Sequence, residues 1–532
     1  MRAKIAIAVA LALVLALPFI VRGLAGGRPA LAQLAGESGT PGDDDTLIII
    51  TPHVEQIELE FEAAFVRWHR RHHQRSVAID WRHAGGTAEI VRQLEAQFDA
   101  AARDGRIDAD GRAKPGAVGF DLFFGGGSYE HGKMKGVRKG PGGKPEYRMG
   151  QPAGFTKERL DAWFGQNKIG SQTLYDPEQY WIGTALSGFG LMYNKDVLAR
   201  RGLPEPKTFA DLCDPRYFNM LALADPRHSG SVTTTYESIL NKEGWDGGWR
   251  ILKEMCANTR YFANAGTRPP VDVSAGEAAA GLAIDFYGRG QAQFTVRPGE
   301  DPSSARVGYV DPAGAVYIDA DPASILNGAP HAELARRFIE FCLTDEAQSL
   351  WQMPARDGAR GAGNPIGEDG EPMGPRRHEL RRMPVRRAMY EKYGRVFVDK
   401  ANPFELASDL PNRGWRGALP AIMSAMGVDS VDDLKTAWRE LDKCREAAKQ
   451  GRISESVVAA MQADFAAWPM HRMKPGAQPA ELLLSEANFK AIYADADKFK
   501  DSAHAKRTQI AYTEFFKAQY RKVAAAGREA LP

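Results

Sequence analysis

The sequence predicts an α/β protein of two alternating units followed by a helical region, and three observations predict it. From Thr46 onward, short strand-like runs alternate with stretches of helical periodicity. Two small-residue loops each follow a strand and open a helix. At 532 residues the chain is too long for one ordinary core.

The elements follow in order. "TLIIIT" reads as a strand, and Glu55 to His73 as a helix with Ile57, Phe61, Phe65 and Trp68 on one face. The strand "VAIDW", a helix from Ala88 to Phe98 and the strand "DLFF" complete a βαβαβ run, which implies a parallel sheet covered by helices. A second unit contains "FGLMYN", "LALAD", helices near Thr233 to Asn241 and Trp245 to Asn258, and the strand "GLAIDF". "VGYVDPAGAVYID" supplies two more strands before the helical "HAELARRFIEFCLTDEAQSLW". Beyond Trp351, Gly, Pro and Arg form a loop into a short helix, and from about Ser430 the pattern is helical to the end. The expected partition is 46–124 with 291–352 as the first lobe, 125–290 as the second, and 353–532 as a C-terminal helical extension.

Residues 1–33 begin with Arg2 and Lys4 before an apolar run, and Ala30 and Ala32 give the A-x-A pattern of an export-signal cleavage site. The run is also near the lower length limit for an uncleaved anchor. No cysteine follows it, which argues against a lipid-anchored lipoprotein. Residues 34–45 read as a flexible acidic linker. Together these place the protein outside the cytoplasm, in the periplasm, free or tethered.

Composition narrows the class. With 44% hydrophobic and 26% charged residues the chain is globular, and a formal charge of +2 gives no global basicity that would suggest nucleic acid. The four cysteines, Cys213, Cys256, Cys342 and Cys444, contain no C-x-x-C pair, so a structural zinc site of that spacing is absent. In an oxidising compartment Cys213 with Cys256 is the preferred bridge; buried free thiols are the alternative.

Two loops carry the functional reading. Gly85, Gly86 and Thr87 open a helix whose first backbone N–H groups lack intrahelical partners and carry the positive end of the macrodipole, a place for an oxyanion. Ser229, Gly230 and Ser231 repeat the arrangement in the second unit. Each is also explained by an ordinary cap, and Thr234 with Glu237 offers a capping box. Both loops lie at the carboxyl ends of strands, where open α/β sheets bind ligands. Neither ends in G-K-[ST], which disfavours nucleoside triphosphate hydrolysis.

Further candidates are Gly126, Ser128 and Tyr129 after the strand "DLFF", which turn chemistry also accounts for, and Asp285 and Tyr287 at the end of "GLAIDF", where packing is the ordinary role. His53 ends the first strand on the same rim. His69 and His73 are four apart on a helix, but neighbouring arginines assign them to a solvated helix end. The basic run Arg376 to Arg387 alternates with Leu380, Met383 and Val385, as a solvated amphipathic helix would. H-E-x-x-H and G-x-S-x-G are both missing, and no cysteine adjoins a histidine.

The stretches "LIIITPHVEQIELEFEAAF", "GFGLMYNKDVLARRGLPEPKTFADLCDPRY", "ADPRHSGSV", "VSAGEAAAGLAIDFYGR" and "VDPAGAVYIDADPASILNGAPHAELARRFIEFCLTDEAQSLW" resemble the extracellular solute-binding proteins of ATP-driven (ABC) importers, in the ferric-iron, phosphonate, sugar-phosphate and polyamine branch. The resemblance spans roughly residues 46–352. It implies a two-lobed periplasmic-binding-protein-like (type II) fold, a ligand held in the cleft between lobes, a membrane permease as partner, a monomer, and no catalysis or resident cofactor. In ferric members of the family a histidine, a carboxylate and two adjacent tyrosines form the metal shell, with an anion on a Ser-Gly loop. Here His53 and Tyr287 match, and Ser229 to Ser231 match the anion loop. Phe286 replaces one tyrosine and "FFGGG" lacks the carboxylate, although Glu130 lies nearby. The expected ligand is therefore a phosphate-bearing or other anionic solute, or an iron–anion complex, with ferric ion as cargo if iron is bound. The alternatives are a periplasmic ligand sensor using the same site, and an enzyme with Cys213 or Cys256 as its thiol.

Overall fold

A computed structural model describes residues 46–296, 304–500 and 502–531, apart from the side chains of Ser231 and Phe294. The expected export signal and linker lie outside the described residues. No helix among the described residues is long and apolar enough to cross a membrane.

One continuous mixed sheet organises the molecule. Its order is Ala78–Arg82, Thr46–Ile50, Leu122–Phe124, Ile318–Leu326, Ile182–Asn194, Ala280–Ile284, Leu221–Ala224 and Thr259–Ala263. The first three strands are parallel to one another, and so are the last three, as βαβ connections require. Two long antiparallel strands join these groups. Residues Ile182 to Gly188 pair with Ile318 to Ala323 on the first side, while Phe189 to Tyr193 pair with Ala280 to Ile284 on the second. All thirteen residues of Ile182–Asn194 are buried, which explains its unbroken apolar and small-residue character.

Each side has its own core. Leu47, Ile49, Phe61, Phe65, Phe338 and Trp351 pack together on the first, and Leu221, Tyr236, Leu252 and Leu282 on the second. The chain changes sides later than the glycine run at Gly125 suggests. Ala153, Phe155, Leu160 and Phe164 remain in the first core, because the strand that crosses is Ile182–Asn194.

The C-terminal region belongs to both sides. Leu380, Met383 and Val385 pack in the first core, whereas Trp415, Leu419, Trp438, Phe465, Phe516 and Tyr520 pack in the second. Helices Val431–Lys449, Glu455–Ala466, Phe489–Asp495 and Ala503–Ala530 match the helical reading, interrupted by a short hairpin of Met470–Arg472 with Glu481–Leu483.

Three expectations are corrected. Residues 376–386 form no helix: the stretch is irregular, with Arg381 at a φ of 56°, and Met383–Pro384 pairs with Leu186 and Ala185. Its alternating apolar residues therefore mark a strand edge and not an amphipathic helix. His69 is buried, with Nδ1 3.0 Å from the Arg75 carbonyl oxygen, so it closes the helix end from inside and not from solvent. Cys213 and Cys256 are free and buried. The Cys213 thiol donates to the Ile251 carbonyl at 3.7 Å, and a Cβ on Gly427 of the C-terminal region would meet Cys256 Sγ at 2.7 Å. The two thiols thus face different surroundings, and burial raises both pKa values.

Candidate functional site

A cavity of about 290 Å³ lies where the two sides meet. Pro52, His53, Gly86, Thr87 and Gly126 line it from the first side, and Ser229, Ile284, Phe286 and Tyr287 from the second. Ser187, Phe189, Asp319 and Ala320 line it from the crossing strands, and Arg382 from the C-terminal region.

The first wall follows from helix chemistry. Helix Thr87–Arg103 begins after Gly86, and no side chain caps it. Its first-turn amides face the cavity that Gly86 and Thr87 line, with Glu89 of the same turn partly offsetting their positive potential. The glycine run after Leu122–Phe124 is required by proximity. Gly125 and Gly126 have φ of 93° and 116°, and a Cβ on them would lie 2.4 Å from the His53 ring and 2.6 Å from Thr87 Cγ2. These glycines let the backbone pass under two cavity-lining side chains.

The opposite wall is built differently. Helix Gly230–Asn258, broken at Gly244, is capped by Ser229, whose Oγ accepts from the Val232 amide at 3.4 Å. Ser229 lines the cavity as well, and its hydroxyl proton remains to be donated. The capping box expected from Thr234 and Glu237 does not form. Arg416 takes both side chains instead, donating to Thr234 Oγ1 at 2.7 Å and to Glu237 at 3.2 Å.

Arg382 dominates the electrostatics. It is buried, ion-paired with Asp321, donates to Ser187 Oγ at 3.1 Å, and lies 4.1 Å from the centre of the Phe286 ring. Phe286 therefore serves as a cation–π platform where the ferric pattern has a tyrosine. His53 Nε2 stands between Arg382 Nη1 at 2.6 Å, which can only donate, and Asp321 Oδ2 at 3.1 Å, which can only accept. Burial lowers the His53 pKa, outweighing the raising effect of Asp321. His53 Nδ1 and Arg382 Nε are both buried without a hydrogen-bond partner.

Two carboxylates approach from Ile318–Leu326. Burial alone would raise the Asp321 pKa, but Arg382, His53 and the Gly126 amide, which donates to Oδ1 at 2.5 Å, bring it below the usual range. Asp319 accepts from the Ser128 amide at 3.1 Å, and burial raises its pKa to about 6. Burial likewise pushes the Tyr287 phenol up to about 12, keeping it protonated at neutral pH.

The cavity therefore brings together His53, Gly85, Gly86, Thr87, Gly126, Ser229 and Tyr287 from the sequence-derived set. The remaining candidates stand elsewhere. Ser128 contributes its amide to Asp319, Tyr129 is 43% exposed beneath the Arg416 guanidinium, and the Gly230 carbonyl accepts from Arg416 at 3.0 Å. Asp285 is buried against Arg289 at 3.1 Å, and burial raises its pKa to about 7. Of Ser231 only the backbone is described, in the first turn of its helix. Glu130, the substitute metal carboxylate, is paired with Arg416. Arg382 was not recognisable as a site residue, because its strand position looks like one of several arginines on a solvated helix.

Residues 154–356 match the family described as bacterial extracellular solute-binding protein. The phosphoglycerate transport regulatory protein PgtC of Salmonella typhimurium is 30% identical over 169 residues, which is 32% of this chain and 40% of that protein. The chain thus spans less than half the length of this relative. Among solved structures, the periplasmic binding protein AfuA of Actinobacillus pleuropneumoniae, with fructose-6-phosphate bound, is similar at a TM-score of 0.43 and 16% identity, covering 57% of this chain and 81% of that one. Iron-bound HitA of Pseudomonas aeruginosa is similar at a TM-score of 0.45 and 14% identity, covering 72% and 98%.

Proposed function

We propose that this chain, whose residues 154–356 match the bacterial extracellular solute-binding family, captures a small phosphate-bearing anion between its two sides and delivers it to a membrane permease of the ABC class. The observation that carries the reading is that Arg382 and the uncapped first turn at Thr87 line one cavity. A tetrahedral oxyanion accepts from backbone N–H groups at a helix start and from a guanidinium at once, and both donors are fixed before it arrives. Phe189, Ile284 and Phe286 provide an apolar wall for the carbon portion of such a ligand.

Closure follows from where the donors sit. Thr87 and His53 belong to one side and Ser229 and Tyr287 to the other, so an anion contacting both walls binds the closed arrangement better than an open one. Nothing in this requires bond making: the protein acts as a non-catalytic, monomeric periplasmic receptor. Bare ferric ion is disfavoured as cargo, because the guanidinium 2.6 Å from His53 Nε2 repels a trivalent cation and Phe286 stands where a second tyrosine would be.

The test is a thermal-shift panel on metal-stripped protein with phosphate, phosphoglycerates, sugar phosphates, phosphonates, ferric citrate and polyamines. A ligand at one hundred times its dissociation constant adds about 2.7 kcal/mol of stability. Shifts from polyamines or ferric citrate alone overturn the anion reading. A sensing role is the second reading, favoured by the Salmonella relative being a phosphoglycerate transport regulatory protein. Capture of the ligand-loaded protein by a membrane receptor, and not by a permease, would select it.

A further inference from the structure

Away from the cleft, three segments of the C-terminal region converge on one carboxylate oxygen. His471 lies on the strand Met470–Arg472, Asp495 ends the helix Phe489–Asp495, and His504 is in the first turn of Ala503–Ala530. His471 Nε2 and His504 Nε2 stand 2.8 and 3.0 Å from Asp495 Oδ2. The three ligand-type atoms all lie within 4.8 Å of one another. We propose that His471, Asp495 and His504 form a structural binding site for a divalent transition metal, zinc foremost.

The donor set selects the metal. Two imidazoles and one carboxylate suit zinc and its borderline neighbours, whereas magnesium and calcium require more oxygen ligands. A tetrahedral zinc with bonds of about 2.1 Å separates its ligand atoms by about 3.4 Å, so each histidine–carboxylate spacing needs to widen by about half an ångström. A fourth position is left for water.

The surroundings suit both the loaded and the metal-free state. Tyr512 Oη is 2.9 Å from His471 Nδ1. With zinc on Nε2, the Nδ1 proton is donated to the tyrosine oxygen; without zinc, the tyrosine hydroxyl donates to Nδ1 while Nε2–H donates to Asp495. The other carboxylate oxygen, Asp495 Oδ1, accepts from the Lys474 amide at 3.0 Å, which fixes its plane. The Lys474 ammonium is turned aside to Asp497, which also accepts from Ser502 Oγ at 2.8 Å, so this cation is neutralised beside the site. His471 is buried and His504 partly exposed, giving a metal an entry path on the His504 side. The metal would join the hairpin, a short helix and the last helix.

The experiment uses the full chain, produced without a histidine tag, stripped with EDTA and dialysed against zinc. The expected result is one equivalent of zinc per chain with a rise in Tm, and a cobalt(II) form showing the visible d–d bands of a four- or five-coordinate nitrogen and oxygen site. His504→Gln, at the more exposed ligand, is expected to leave the Tm in EDTA near the native value and to weaken zinc binding more than tenfold; Tyr512→Phe is expected to weaken it about tenfold. Absence of a stoichiometric equivalent in the native chain, or native affinity retained in both His504→Gln and Asp495→Asn, overturns the proposal. The cobalt spectrum of the native chain decides the matter even if a variant fails to fold.

Discussion

Arg382 Nη1 approaches His53 Nε2 to 2.6 Å, although 329 positions separate the two residues in the chain. The contact joins the end of the first strand to the C-terminal region and leaves Asp321 between two cationic or donor groups. The three side chains act as one unit: His53 is held neutral, Asp321 ionised, and Arg382 oriented over Phe286.

Replacing Arg382 by Gln is accordingly expected to abolish the ligand-induced thermal shift and to destabilise the unliganded protein by about 3 kcal/mol, since Asp321 loses its charge partner in a buried setting. Urea unfolding measures the second effect. The double variant Arg382→Gln with Asp321→Asn is expected to recover part of that loss without recovering binding.

Gly126→Ala tests the glycine run. With φ at 116° and the new Cβ 2.6 Å from Thr87 Cγ2, the expected cost is about 2 kcal/mol or more, with weaker ligand binding because Thr87 must move. Gly86 has an ordinary φ of −74°, but a larger residue there meets Glu89 Oε2 and the His228 carbonyl at 3.0 Å and intrudes on the cavity it lines. Gly86→Val is therefore expected to fold and to lose the thermal shift. Ser229→Ala is expected to lose it as well.

Acid is expected to weaken the same corner. His131 is buried between Ser324 Oγ at 2.8 Å and the Gly125 carbonyl at 3.0 Å, and burial lowers its pKa to about 4. The unfolded chain, with a histidine pKa near 6.5, then binds more protons than the folded one between those values. The stabilising effect of the neutral ring is complete above about pH 6.5 and is lost as pH falls toward 4, amounting to roughly 3 kcal/mol. Asp285, raised to about 7, acts with the opposite sign over an overlapping range. The comparison of native protein with His131→Gln, by urea unfolding at pH 7, 5.5 and 4.5, isolates the histidine: the variant is expected to lose less stability across the range.

The thiols supply a further check. Four free cysteines are expected to react with a thiol reagent after denaturation without reductant, and none promptly in the folded state, because all four are buried. Two reactive thiols in the denatured chain, with peptide mapping placing the disulfide at Cys213 and Cys256, would restore that bridge.

The alternation of strands and helices was legible because period-2 and period-3.6 patterns differ over short windows, and the Gly85 to Thr87 loop because an uncapped helix start has a composition of its own. Three signals were not local. Arg382 became a site residue only when Met383–Pro384 paired with Ile182–Asn194, and an alternating Arg-apolar run reads equally as helix or edge strand. Asp319 and Asp321 sat in a stretch whose carboxylates gave no sign of which would face inward. Thr234 and Glu237 made a good capping box on paper, but the helix starts at Gly230 under the Ser229 cap, so Thr234 lies inside it and donates to the Gly230 carbonyl at 3.2 Å while Arg416 engages both side chains.

The C-terminal region, with side chains in both cores, also changes what can be borrowed from this protein. A chain cut at residue 352 would keep most of the pocket walls and lose Arg382. It would also expose the faces that Met383, Trp415 and Tyr520 now cover. On the proposed reading, any opening and closing is accommodated by a third stretch of chain besides the two crossing strands, so an arm that looks like an appendage in the sequence would help set how wide the cleft can gape.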